Sequence, residues 1–119
     1  MRRGEIWLVN LDPTIGSEIR GAKTEPRKRP AVIVSRDSIG ILPLKIVVPI
    51  TGWRPEFAGA PWLVPLERNP RVGLVKKSAA DTFQVRSVSE QRLVEKLGEL
   101  GADDLERIDE GLALALHLD

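Results

Sequence analysis

Up to residue 88 the chain is cut into short apolar runs rich in Val and Ile, each closed by Gly, Pro or a polar residue. Only after that does the apolar spacing lengthen to a helical interval. Such a pattern restricts the fold to one built mainly from short strands. Ile6 to Leu11, Ala31 to Ser35, Ile46 to Ile50, Trp62 to Leu66, Val72 to Val75 and Thr82 to Val88 read as strands. Pro65 predicts an edge position for its strand. Ser87 and Glu90 have capping-box spacing, and Leu93, Leu97 and Leu100 follow at helical intervals, which predicts a first helix. Asp103 and Glu106 repeat that spacing before Leu105, Ile108, Leu112 and Leu116, which predicts a second helix packing its leucine stripe on the sheet. The expected architecture is mainly β with C-terminal helices, a small barrel or strongly bent sheet of about five to seven strands. At 119 residues the length fits one domain, 1–119.

Composition removes several function classes. The hydrophobic fraction of 42% beside 29% charged residues is that of a soluble globular protein. The longest stretch without a charge, Phe57 to Leu66, is broken by Gly59, Pro61 and Pro65, so no membrane span is expected. Met1-Arg2-Arg3 is followed by too short an apolar run for a secretory signal, which makes a cytoplasmic location the expectation. With no cysteine there is no disulfide, thiolate nucleophile or zinc–thiolate site.

The net charge of +1 conceals two opposed halves. Residues 1–89 hold 15 Lys and Arg against 8 Asp and Glu, whereas residues 90–119 hold 3 against 9. Six basic residues (Arg20, Lys23, Arg27, Lys28, Arg29 and Arg36) face a single acid, Glu25, within residues 20–36. A positive β-rich surface suits a polyanion, because phosphate contacts dominate nucleic-acid affinity. Acidic helices with one solvated face account for the other half equally simply.

The remaining chemistry is narrow. The single histidine, His117, falls in the last turn of the acidic helix, where a cation caps the helix dipole. No glycine-rich phosphate loop, metalloprotease helix or serine elbow is present. One reaction suits such a set: RNA cleavage by the RNA's own 2′-hydroxyl, with the protein orienting, moving protons and stabilising a dianionic phosphorane. Arginine supplies a rigid cationic fork for phosphate, threonine a hydroxyl donor, and glutamate a proton acceptor. Arg29 stands directly before the uncharged run Pro30 to Val34, and Thr51 and Glu18 close other apolar segments. Taken singly, Arg29 is a surface arginine before a strand, Thr51 a strand-end β-former and Glu18 a solvated loop acid.

Taken in order, the phrases resemble a known family. Gly4-Glu5-Ile6-Trp7, Asp12-Pro13-Thr14 with Gly16-Ser17-Glu18, Arg29-Pro30-Ala31-Val32, Pro49-Ile50-Thr51 and Gln84-Val85-Arg86-Ser87 look like the successive motifs of the MazF/PemK (Kid) toxins of bacterial toxin–antitoxin systems. Gly98 to Leu116 is similar to the closing helix of that family, so the resemblance covers nearly the whole chain. It implies an SH3-like small β-barrel (CcdB/PemK-like) and a homodimer. It also implies a metal-independent, cofactor-free endoribonuclease, an mRNA interferase that cuts single-stranded RNA to 2′,3′-cyclic phosphate and 5′-hydroxyl ends. The partner implied is a cognate antitoxin that blocks the RNA groove and with which the toxin binds DNA. By position, Arg29 and Thr51 match the catalytic arginine and threonine, and Glu18 and Ser17 match residues lining the same site. Gln84 and Arg86 match positions near the RNA path, with Arg86 holding a phosphate.

The chain departs from the pattern between Glu18 and Arg29, where ten residues replace a shorter link. This loop either adds phosphate contacts through Lys23, Arg27 and Lys28 or is a surface insertion. Only Arg29 directly precedes Pro-Ala-Val, which favours it over Arg27 as the catalytic residue. Base choice is expected from the loop Gly52 to Gly59, with Trp53 or Phe57 stacking on a base. The candidate dimer surfaces are Trp53 to Leu66 and the last helix. Two other classes fit the composition: a CcdB-like toxin acting on DNA gyrase, and a non-catalytic SH3-like nucleic-acid-binding module. The CcdB reading requires a tryptophan near the C-terminal end, but the tryptophans here are at 7, 53 and 62.

Overall fold

The computed structural model describes residues 1–21 and 28–119. Seven strands form one antiparallel sheet: β1 (Glu5–Asn10), β2 (Lys28–Ile33), β3 (Leu44–Gly52), β4 (Leu63–Leu66), β5 (Ser78–Asp81), β6 (Arg86–Ser89) and β7 (Leu93–Glu99). Their order is β4-β5-β3-β2-β1-β7, with β6 paired to the first half of β3. The strongly bent sheet is not closed into a barrel: β4 and β7 stand at its two ends and do not pair with each other. Pro65 sits in β4, at the edge where a missing N–H is tolerated.

β3 organises the sheet because it is long enough to serve three neighbours. Val47 to Pro49 pair with β2, Ile50 to Gly52 with β5, and Leu44 to Val47 with β6. Strand alternation then sends successive side chains to opposite faces. Ile6, Val32, Val48, Ile50, Val64 and Leu66 form the larger core on one face, together with Ile108. Val9, Leu11, Ala31, Ile33, Val47, Val88 and Leu93 form a smaller core on the other, flanked by Trp7 and Ile19.

A single C-terminal helix, α1 (Ala102–Leu116), covers the first face. Ile108 is fully buried and Leu105 and Leu112 pack beside it, whereas Leu116 is exposed. Gly111 allows the close approach: a Cβ there would meet Val64 Cγ2 at 2.9 Å and Thr82 Cγ2 at 3.0 Å. Asp103 and Asp104 occupy the first turn, where carboxylates suit the helix dipole, and His117 closes the helix as its C-cap in the left-handed region.

The first of the two expected helices is absent. Residues 93–99 form β7, which pairs with β1 through two register shifts. Leu93 belongs to the smaller core and Leu97 packs against the larger one, so their four-residue spacing mimics a helical interval without marking one helical face. The Ser87–Glu90 spacing does not cap a helix; Ser89 instead accepts from the Gln91 N–H at 3.3 Å, starting one 3₁₀ turn. Val72 to Val75 is not a strand either. Pro70–Val72 is a 3₁₀ turn, closed by the Asn69–Leu74 bridge. Likewise Thr82–Gln84 is a 3₁₀ turn preceding β6.

A buried carboxylate ties β1 to β7. Glu5 is 5% exposed and accepts from the Trp7 indole at 2.9 Å and the Arg2 N–H at 3.0 Å, with Lys96 Nζ at 3.2 Å. Burial alone would raise its pKa, but these donors outweigh it and hold the carboxyl at about 2.

Candidate active site

Arg29 and Thr51 are neighbours across the β2–β3 seam. The β2–β3 pairing ends at Ala31↔Pro49, two residues short of both Arg29 and Thr51, so strand alternation puts the two residues on one face at that end of the seam. Both share the face of Ala31, Ile33 and Val47, the one α1 does not cover. The Arg29 guanidinium is oriented from two sides. Its Nε donates to the Arg20 carbonyl, and its Nη1 donates to the Ile50 carbonyl at 3.3 Å, the peptide that leads into Thr51. Burial draws its pKa below the ordinary arginine value, yet arginine remains the cation. No carboxylate among the described residues lies within ion-pair distance of it.

Next to this pair lies a cleft of about 490 Å³. Its walls are the loop after β1, through Ile15, Ser17, Glu18 and Ile19, and the segment Phe83 to Arg86, with Pro49 of β3 between them. Only Ile50 separates Pro49 from Thr51, and Ile19 adjoins Arg20, whose carbonyl holds Arg29, so the cleft reaches the segments that carry the pair.

Glu18 does not reach Arg29 in this structure. Its carboxylate accepts the Ile15 N–H at 2.8 Å while its own N–H donates to the Ile15 carbonyl at 3.2 Å, closing a tight turn. Ser17 is exposed at the same rim. Gln84 uses its amide to clasp this loop: Nε2 donates to the Ser17 carbonyl at 3.3 Å, and Oε1 accepts the Ile19 N–H at 2.6 Å. Arg86 lines the cleft, with Nη1 3.5 Å from the Leu11 carbonyl. Lys28 opens β2 opposite Asn10. Trp53 stands just beyond β3, and Lys23 and Arg27 lie outside the described residues. Arg29 and Thr51 therefore form one group, and Ser17, Glu18, Gln84 and Arg86 line the adjoining cleft.

Sequence reasoning missed one carboxylate. Thr51 pairs with Ala79 of β5, so Asp81, two residues on, projects from the same face as Thr51 and Pro49. Burial raises its pKa above the ordinary aspartate value, partly offset by the backbone N–H groups of Phe83 and Gln84 and by the Gln84 amide. The Phe83 contact measures 3.2 Å. An Asp-x-x-Gln-x-Arg spacing was visible in the sequence, but only the β3–β5 pairing connects it to Thr51. The cation–hydroxyl pair, a carboxylate that holds its proton more readily than usual and a cleft lined by Arg86 together suit a phosphodiester.

Residues 2–116 match the family model for the PemK-like, MazF-like toxin of type II toxin–antitoxin systems. Over its full length the chain is 38% identical to Endoribonuclease MazF9 of Mycobacterium tuberculosis, of which it covers 97%. Among solved structures, it superposes on MazF from Deinococcus radiodurans with a TM-score of 0.75, at 25% identity, covering 98% of this chain and 96% of that one. An endoribonuclease in complex with its cognate antitoxin, from a mycobacterial species, shares the fold at a TM-score of 0.72 and 19% identity, covering 100% and 97% of the two chains. The chain belongs to the PemK-like, MazF-like toxin family of type II toxin–antitoxin systems.

Proposed function

We propose that residues 1–119 act as one domain, the toxin of a type II toxin–antitoxin system. Its activity is endoribonucleolytic, cutting single-stranded RNA at short sequences without a metal. The observation that carries this reading is the Arg29–Thr51 pair on the sheet face left uncovered by α1, beside a cleft that Arg86 lines.

The 2′-oxygen of the nucleotide before the cut attacks phosphorus, and the bond from phosphorus to the 5′-oxygen breaks. A carboxylate takes the 2′-hydroxyl proton. Asp81 suits that role better than Glu18, because it lies on the sheet face of Thr51 and burial strengthens its hold on a proton. Arg29 spreads its N–H donors over the dianionic phosphorane and, with a pKa drawn down by burial, is suited to return a proton to the leaving 5′-oxygen. Thr51 donates its hydroxyl to the same phosphate. The products are a 2′,3′-cyclic phosphate and a 5′-hydroxyl. Glu18 shapes the loop, and Gln84 positions that loop against Asp81.

A homodimer is supported by apolar side chains left in solvent: Ile39, Ile41, Leu42, Leu44 and Ile46, more extensive than Leu114, Leu116 and Leu118 around the end of α1 or Trp62. Of the two surfaces favoured by sequence, Val64 and Leu66 are buried in the core. An acidic antitoxin segment fits the basic face, and toxin and antitoxin together bind DNA. Among the described residues no helix is long and apolar enough to cross a membrane, and a cytoplasmic location fits a target in messenger RNA.

The test is incubation with a long single-stranded RNA in EDTA. Discrete cuts with cyclic-phosphate and 5′-hydroxyl ends are expected. Intact RNA at stoichiometric protein contradicts the reading, and gyrase inhibition would move the chain to the CcdB-like class.

A further inference from the structure

We propose that Trp53 and Lys77 form a nucleotide subsite one step along the sheet from Thr51, the indole receiving a base and the ammonium its phosphate. This rests on the RNA-cleaving reading and extends it to a residue, Lys77, outside the site described above.

The backbone sets the alignment. β3 and β5 pair as Thr51↔Ala79 and Gly52↔Ser78, and the Trp53 N–H donates to the Lys77 carbonyl at 3.0 Å, carrying the ladder one residue further. Trp53 and Lys77 therefore share the face of Thr51 and Ala79. Two strand residues span about 7 Å, close to one nucleotide of an extended single strand.

The side chains are already assembled for stacking and charge. Lys77 Nζ lies 4.8 Å from the centroid of the Trp53 ring, and Phe57 packs edge-on at 5.7 Å and 86°, which fixes the indole plane. An aromatic platform beside a cation is what single-stranded nucleic acid requires, since every base has a π-face and every linkage a negative charge. The counter-charge now present is weak. Glu67 stands 3.9 Å from Lys77, with the two side chains 82% and 47% exposed, so a phosphate displaces it at little cost.

The test is steady-state cleavage of a fluorophore-labelled single-stranded RNA carrying one mapped cut site, across a salt series. Lys77→Met keeps the methylenes over the indole and removes the charge. Its KM is expected to rise roughly tenfold with the loss falling on KM rather than kcat, and the log–log salt slope to fall by about 0.7, one phosphate contact. Lys77→Arg should restore both. Trp53→Ala is expected to raise KM about tenfold or more, and Trp53→Phe, which retains an aromatic face, less. Glu67→Gln should lower KM at low salt. A wild-type KM and salt slope in Lys77→Met would overturn the subsite, as would loss of antitoxin affinity alone. Absence of cleavage by the wild-type protein would instead sink the nuclease reading itself.

Discussion

The two faces of the sheet are built from the same strands and put to opposite uses. On one, Ile6, Val32, Val48, Ile50, Val64 and Leu66 are sealed under α1, with Ile108 as the plug and Gly111 setting the distance. On the other, the smaller core of Ala31, Ile33 and Val47 gives way along the same strands to Arg29 and Thr51, and among the described residues no helix covers it. Both faces thus carry a core, and the reactive residues stand on the second face where its smaller core ends. The covered face tolerates no polar atom without a partner. The open face can hold a partly desolvated arginine because neighbouring carbonyls accept its N–H groups and solvent reaches the remainder.

Substitutions on each face should therefore fail differently. Asp81→Asn is expected to slow cleavage by about 10²–10⁴-fold, the range for a lost general base, with thermal stability retained. In the wild type, cleavage should rise with pH through a value above that of an ordinary aspartate, and this limb should vanish in the variant; rate profiles on a single RNA check both. Ile108→Ala should show the reverse pattern, losing about 2–5 kcal/mol of unfolding free energy in a denaturant titration while the folded fraction cleaves normally.

Glu5→Gln tests the β1–β7 tie, away from either use. Its folded pKa of about 2 lies below the 4.5 expected for the unfolded chain, so the ionised form stabilises above that unfolded value. The contribution is lost as pH falls through the window from 4.5 to about 2. The variant should be less stable by on the order of 3 kcal/mol at neutral pH, with the gap closing toward pH 2, as read from melting curves across pH. The smallest effect is expected for Glu18→Gln, which keeps an oxygen for the Ile15 N–H and should change cleavage by less than about threefold. A hundredfold loss there would return the proton-accepting role from Asp81 to Glu18.

How much of this was legible in the sequence depended on side-chain size and range. β1 to β4 were visible because Val and Ile alternate or cluster between clear breaks. β5 was not, since Ser78, Ala79 and Ala80 carry no β-type bulk; they are small because they are buried against β3 and β4. Missing β5 hid Asp81, whose relation to Thr51 exists only through that pairing. β7 read as helix because Leu93 and Leu97, which serve different cores, fall four residues apart. Arg29 and Thr51 were singled out by the order of the motifs around them, which resembles that of the toxin family, and not by either residue alone. The Gln84 clasp, however, joins residues 65 apart, and no local pattern announces it.

The central claim is that the open face, centred on Arg29, carries out RNA cleavage. Its most direct test is single-turnover cleavage of one single-stranded RNA by Arg29→Ala beside the wild type, with matched circular dichroism and melting temperature. Loss of a phosphate-stabilising donor predicts a rate at least about 10²-fold lower in a fully folded protein. A folded Arg29→Ala variant that cuts the same RNA at the wild-type rate would contradict it.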